Sequence, residues 1–283
     1  MRIAWALVAC ALGAVGCSAD VGSPTSPTAQ QGAQNPTVSA AAGRFTPDQR
    51  RRADQLISVF EHGTTNIGYD SAENLGDGRG VTSGRAGFTT ATCDAAEVVE
   101  NYNHEVPENP LSRFVPELNR LCAEHSDATD GLPEAAYIAA WKQAANDPRF
   151  RAAQDEAVDR EYYVPALELA DAEGVKLPLT RAEIYDAAIQ HGVGEDPDGM
   201  PALAKRTTAS VGKPDKAGET VWLNTFLDIR SADLRNPANS ASAAEWRQTI
   251  DRVECVRRIA RIGNTGLDRP ITFFVYGAKY TIP

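Results

Sequence analysis

The chain has 283 residues, enough for one large domain or two small ones around a substantial core. Its 42% hydrophobic content is spread along the sequence, and no apolar run approaches the roughly 18 residues a membrane helix needs. A formal net charge of −10 and a pI near 5.0 argue against nucleic acid or an anionic surface as partner and suit a polycationic one.

Met1-Arg2, the apolar stretch Ile3 to Val15 and then Gly16-Cys17 have the layout of a secretory signal peptide over residues 1–17. Ala14-Val15-Gly16-Cys17 also resembles a bacterial lipobox, in which Cys17 would be lipidated and become the mature N-terminus; plain secretion is the alternative. Residues 18–44, rich in Ser, Thr, Pro, Gln and Ala, lack the large apolar side chains of a core and read as a flexible linker. Of five cysteines, Cys10 leaves with the signal and Cys17 would be the lipidated one. Cys93, Cys122 and Cys255 then allow one disulfide in any of three pairings. No CxxC or HExxH occurs, and His62, His104, His125 and His191 are scattered, so neither a metal nor a cofactor is expected.

The ordered domain, residues 45–283, starts with a capping box, Thr46-Pro47-Asp48-Gln49, and a helix whose apolar face is Ala53, Leu56, Ile57 and Phe60, stopping at Gly63. Glu61 sits in its last turn, where the negative end of the helix dipole disfavours an anion. Ser71 to Leu75 leads to the glycine run Gly76-Asp77-Gly78-Arg79-Gly80-Val81-Thr82-Ser83-Gly84, and Arg79 to Phe88 suits a short β-ribbon. Asp94-Ala95-Ala96-Glu97 reads as a second capping box with Asp94 as N-cap, opening a helix through Tyr102. Leu111, Phe114, Val115, Leu118 and Leu121 mark a helix broken near Pro116, and Pro133 opens another with Tyr137, Ile138 and Trp141 inward. Asp147-Pro148 starts a helical stretch interrupted by Pro165, and Thr180-Arg181-Ala182-Glu183 a third box, whose helix carries Ile184, Ala187, Ala188 and His191. His191 to Glu219 reads as a loop, Val221 to Leu234 as a helix, and Ser242-Ala243-Ala244-Glu245 as the cap of one last long helix ending at Gly263-Asn264, before an extended tail from Pro270. The expectation is a mainly helical domain with a small β-ribbon.

Glu61 and Asp77, sixteen residues apart, form a carboxylate pair on short rigid elements beside glycines that admit close backbone approach. Such a pair suits acid/base chemistry on a bound polymer. In isolation each residue would be an ordinary surface or turn carboxylate.

The ordered series Glu61, GDGRGVTSG, GFTTATCD, Ile184-Tyr185-Asp186-Ala187, His191-Gly192, Leu223 to Arg230 and Gly263-Asn264 resembles the chitosanases of glycoside hydrolase family 46 over nearly the whole domain. The resemblance implies a lysozyme-like, two-lobed, mainly α fold with the substrate cleft between the lobes. It also implies internal, inverting cleavage of β-1,4-linked glucosamine. By the same resemblance Glu61 is the general acid and Asp77 the general base. Thr82 helps hold the attacking water, Arg79 stands beside the base and Asp94 binds a glucosamine amino group. Asp186, Arg230 and Arg252 match a buried charge network behind the acid. The Glu61–Asp77 spacing is shorter than is common in the family, and Val81 stands where tyrosine or isoleucine is more usual.

The expected activity is therefore an endo-acting hydrolase of chitosan, a cationic polysaccharide that the acidic surface would concentrate. The expected form is a monomer outside the cell, touching membrane only through Cys17. The rivals are a lysozyme-like peptidoglycan hydrolase and a sugar-binding lipoprotein without turnover.

Overall fold

In the computed structural model, which describes residues 45–76, 78–124, 131–238 and 243–283, helix α1 (Pro47–His62) opens on the capping box the sequence predicts. Gln49 N donates to Thr46 Oγ1 at 3.3 Å and Thr46 N to Gln49 Oε1 at 2.8 Å. The residues assigned to the signal peptide, Cys17 and the linker lie outside the described residues, as do Asp77, His125 and Ser242.

The predicted ribbon is a three-stranded antiparallel sheet in the order β1-β2-β3, with β1 (Ala72–Asn74), β2 (Val81–Ser83) and β3 (Phe88–Thr89). Its registers pair Thr82 with Glu73 on one side and with Thr89 on the other. The first strand falls in the stretch read as a plain connection, because three polar-rich residues carry too little alternation to announce a strand. The turn into β3 needs Gly84: at φ +73 an added Cβ would meet Gln154 Oε1 at 2.5 Å and the Phe88 and Trp141 rings at 2.9 Å.

Helix α2 (Asp94–Glu105) departs from the second predicted box. Its N-cap is Cys93, at φ 71, without a side-chain cap bond, because the Asp94 carboxylate turns back onto the β3–α2 loop. Cys93 is bonded to Cys122 on α3 (Val115–Glu124), which chooses among the three pairings and leaves Cys255 as the buried free thiol. The break expected at Pro116 falls just before it, as a 3-10 turn (Ser112–Phe114), since a first-turn proline has no N–H to miss. Helices α4 (Glu134–Ala144) and α5 (Pro148–Val158) follow, the latter capped by Asp147 as predicted. Pro165 does not break the chain. A π-helical turn (Asp159–Tyr163) widens the helix ahead of it, and α6 (Val164–Glu173) continues to Gly174.

Helix α7 (Pro178–His191) starts before the third predicted box, and Thr180 is buried inside it. The first-turn N–H of Leu179 is met instead by a remote backbone, the Thr265 carbonyl at 2.9 Å, while Glu219 holds the lead-in by accepting from Lys176 N at 2.9 Å and Leu177 N at 2.6 Å. The predicted loop from His191 to Glu219 contains α8 (Met200–Val211) and a single turn, α9 (Pro214–Ala217). Met200, Leu203, Ala204 and Thr207 form the buried face of α8. Helix α10 (Glu219–Arg235) is as predicted, but the last helix is two, α11 (Ala243–Gln248) and α12 (Ile250–Arg261). The Thr249 hydroxyl bends back to the Trp246 carbonyl at 2.7 Å while accepting from Gln190, and the helix breaks there. The tail is a hairpin of β4 (Ile271–Val275) and β5 (Ala278–Ile282), turned by Tyr276 at φ 52 and Gly277 at φ 75.

These elements enclose two apolar cores. One gathers around Tyr137, Trp141, Phe150 and Tyr102, the other around Phe60, Leu227, Val256 and Phe273. Helices α1, α7 and α10 contribute to both: Ile57, Tyr185 and Phe226 to the first, Phe60, Leu179 and Leu227 to the second. The three helices are thus the spine of the fold. Among the described residues no helix is long and apolar enough to cross a membrane.

Candidate active site

Glu61 is the next-to-last residue of α1 and is 8% exposed. Gly63, at φ +66, ends the helix, its N–H returning to the Val59 carbonyl at 3.0 Å. A carboxylate at a helix C-terminus faces unfavourable dipoles. Here a cation offsets them: Arg252 on α12 donates from Nη2 to Glu61 Oε1 at 2.6 Å. The adjacent His62 bonds the Arg85 carbonyl through Nε2 at 3.1 Å, tying this helix end to the β2–β3 turn. The Arg85 side chain pairs with Asp54 on α1 at 2.8 Å and with Asp155 on α5, so the sheet is clamped against the helix that carries Glu61.

Behind Glu61 the charges continue inward. The same Arg252 Nη2 donates to Asp186 Oδ1 at 2.5 Å, and Asp186 Oδ2 lies 2.6 Å from Arg230 Nη1. Arg230 Nη1 also reaches Glu183 Oε1 at 2.8 Å, and its Nη2 donates to Gln190 Oε1 at 2.5 Å. Glu183, Asp186 and Gln190 fall at i, i+3 and i+7 of α7, which puts all three on one face toward Arg230. Burial would raise the Asp186 carboxyl, yet Arg252 and Arg230 together hold it below the usual range. Glu183, ion-paired with Arg230, goes the other way: burial, helped by the Asp186 charge, pushes it up against the Arg230 and, more weakly, the Arg252 charge.

On the sheet side, Thr82 points away from the buried Val81 and Ser83, and its hydroxyl has no hydrogen-bond partner among the described residues. Asp94 Oδ1 accepts from Thr89 N at 2.8 Å, the Thr92 hydroxyl at 2.8 Å and Ala95 N at 2.9 Å. All three bonds fall on the same oxygen, Oδ1. Burial outweighs them and pushes the Asp94 carboxyl up to about 6. Thr89 is the cross-strand neighbour of Thr82, so Asp94 and Thr82 are held on one small scaffold. Arg79 lies in the turn before β2, while Asp77 is outside the described residues.

Two tyrosines that the sequence reading did not single out belong to the same region. The Tyr162 phenol, on the π-helical turn, is kept above its usual range by burial first and then by Glu161, Asp94 and Glu61, with Arg79 opposing. It therefore feels both the α1 carboxylate and the sheet-side groups. Tyr276, in the β4–β5 turn, is raised by burial, with Arg252 opposing and Glu61 and Asp186 adding. The available signals were a proline-forced helix widening for Tyr162 and a Tyr-Gly hairpin turn for Tyr276. Glu183, Gln190 and His191 were also readable, since α7 is buried at every position from Leu179 to His191 and its polar side chains must find partners. Among the described residues no cluster of His, Cys, Asp and Glu could hold a metal.

A carboxylate seated at a helix end on a buried guanidinium, with that helix clamped to a small sheet that carries a second carboxylate and a hydroxyl without a partner among the described residues, is equipment for proton transfer on a bound, cationic substrate. In a mainly helical, two-cored domain it defines a glycoside hydrolase of the lysozyme-like class. The model of glycosyl hydrolase family 46 matches residues 55–271, and the chain belongs to that family. It is 52% identical over 233 residues to a chitosanase of Bacillus subtilis (strain 168), covering 82% of this chain and 83% of the relative. The crystal structure of native chitosanase from Bacillus subtilis MY002 superposes with a TM-score of 0.77 at 50% identity, over 85% of this chain and all of that one. A Gynuella sunshinyii family 46 chitosanase in complex with chitotetraose gives 0.76 at 42% identity, over 85% and 99%.

Proposed function

We infer that the chain hydrolyses internal β-1,4 linkages of chitosan with inversion at the anomeric carbon. The observation that carries this reading is the Glu61 carboxyl held against the buried Arg252–Asp186–Arg230 chain. Glu61, entering protonated, gives its proton to the glycosidic oxygen as the bond to the anomeric carbon breaks. Its new anion is then stabilised by the Arg252 guanidinium already in place, with no side chain needing to move. A water attacks the anomeric carbon from the opposite face and loses its proton to Asp77, for which the two carboxyls need roughly 6.5–9.5 Å between them. The unengaged Thr82 hydroxyl orients that water, Arg79 supports the base, and Asp94 Oδ2 takes a glucosamine ammonium.

The peptidoglycan and binding-only readings have no observation of their own. The enzyme works outside the cell as a single domain of residues 45–283, monomeric and tethered through Cys17.

Viscosity of a chitosan solution tests the reading directly. Wild-type protein should lower it rapidly through internal cuts, with new reducing ends appearing first as the α-anomer in real-time NMR. Glu61→Gln should bind chitosan oligomers but lose nearly all turnover. Wild-type-like hydrolysis by folded Glu61→Gln would remove that residue from the mechanism, and β-anomer preceding mutarotation would refute inversion.

A further inference from the structure

The charge chain behind Glu61 does not end at Arg230. The Arg230 Nε, the pivot of its guanidinium plane, lies 3.2 Å from His191 Nε2, both side chains being wholly buried. Arginine nitrogens only donate, so His191 Nε2 must be the unprotonated, accepting nitrogen. The single ring proton of a neutral imidazole is then on Nδ1, where it donates to the Asp198 carbonyl at 3.0 Å. That carbonyl is fixed in turn. Asp198 Oδ1 accepts from Ala238 N at 3.0 Å, and Asp198 N donates to Asp196 Oδ1 at 3.1 Å. The Trp246 ring packs edge-on at 4.6 Å and closes the site. Burial, reinforced by the Arg230 charge, holds the imidazole well below its ordinary value, so the neutral form is the resident one.

The geometry points to His191 as a positioning residue for the reaction: its Nε2 lone pair sets the plane of Arg230, and through Asp186 and Arg252 the orientation of the Glu61 carboxyl. The Arg230 Nη groups are shared among Glu183, Asp186 and Gln190, whose carbonyl and carboxylate oxygens tolerate a range of angles. Nε has one N–H and one partner, so its bond selects a single guanidinium plane. This inference rests on Glu61 being the acid.

Two near-isosteric substitutions separate the two ring nitrogens. In His191→Gln the amide oxygen takes the place of Nε2 and keeps an acceptor for Arg230, while the donor to Asp198 is lost. In His191→Asn the amide NH2 takes the place of Nδ1 and keeps that donor, while Arg230 loses its acceptor. With chitosan oligomers, kcat of His191→Gln should stay within about threefold of wild type and that of His191→Asn should fall about tenfold or more, KM in both staying within about twofold. A residue that merely anchors the 192–199 turn would reverse the order. Equal losses, a better His191→Asn, or a change confined to KM overturns the proposal.

The second measurement needs no variant. Long-range 15N–1H correlation on the wild-type protein should show His191 as the Nδ1-protonated tautomer, and an Nε2-protonated ring or an imidazolium overturns the proposal. The tautomer is read without substrate, so failure of Glu61→Gln to lose activity would sink the acid assignment and leave this result standing.

Discussion

Arg230→Met removes the one cation shared by Glu183 and Asp186 while keeping most of the side-chain volume. All three side chains are essentially unexposed, at 0%, 0% and 2%. Breaking such a buried pair from one side costs about 3–5 kcal/mol, because Glu183 keeps its desolvation and loses its ion partner while Asp186 is left with Arg252 alone. For a domain of this size each kcal/mol moves Tm by roughly 2–4 °C, so the expected loss is roughly 6–20 °C. The loss should depend on pH in a defined direction. In the wild type the Asp186 carboxyl is held below its usual range, so its contribution is present above an unfolded value of about 3.9 and fades only as pH falls through the native one. In the variant, Asp186 and Glu183 have less reason to stay ionised and take up protons at higher pH, which relieves the repulsion. The gap in Tm between the two proteins should therefore be widest at pH 7 and above and close as pH approaches about 4. Calorimetry at stepped pH reads it. A loss below about 3 °C at neutral pH, or one that grows toward acid, would refute the idea that these charges act as one buried, mutually compensated group.

Three further outcomes follow from the site. Thr82→Ala should lower kcat by about 10–100-fold with KM within about threefold, and should leave Tm nearly unchanged, because the hydroxyl it removes bonds no described residue. Asp94→Asn should raise KM for glucosamine oligomers at pH 7; since the Asp94 carboxyl titrates at about 6 and is protonated below that, the ratio of variant to wild-type KM should fall toward one by pH 5, and a pH-independent ratio would mean Asp94 carries no ammonium. Loss of the Cys93–Cys122 bridge, which closes a separation of 29 residues, should cost about 3–4 kcal/mol in a Cys93→Ser/Cys122→Ser protein; alkylation of the folded wild type should find no accessible described thiol, and of the unfolded protein should find Cys255.

How much was legible depended on whether the cause was local. The Thr46–Gln49 box, the Gly63 stop and the Asp147-Pro148 start are made by residues within one turn, and they appear where expected. The boxes at Asp94 and Thr180 matched the same pattern and failed, because Asp94 is engaged by the β3–α2 loop and α7 starts earlier, its lead-in held by Glu219 and its Leu179 N–H by the Thr265 carbonyl, both far along the chain. Helix α8 was missed although Met200, Leu203, Ala204 and Thr207 keep helical spacing, since the Gly- and Pro-rich flanks outweighed four apolar-side positions. The pairing of Cys93 with Cys122 could not be read from three cysteines. The Asp186, Arg230 and Arg252 set came from resemblance rather than periodicity; the structure adds the distances that make it one connected group reaching Glu61.

The location of that group explains why the fold can hold the Glu61 carboxyl so firmly. Glu61, Asp186 and Arg230 sit on α1, α7 and α10, the three helices whose apolar faces enter both cores, and Arg252 comes from α12 in the second. A shift of any of them would disturb packing on two sides, and dense interiors resist that. The charges are balanced in a way that suits the chemistry. In the proposed mechanism, two guanidiniums face two carboxylates, Glu183 and Asp186, before proton transfer, and the negative charge that Glu61 then gains arises on the oxygen 2.6 Å from Arg252. Catalysis of this kind gains from dipoles and charges that need no reorganisation as the transition state forms. In the proposed mechanism the two cores thus act as a rigid mount for one proton donor, while the small sheet, clamped by Arg85 to the same helix, presents the groups proposed to meet the water and the sugar.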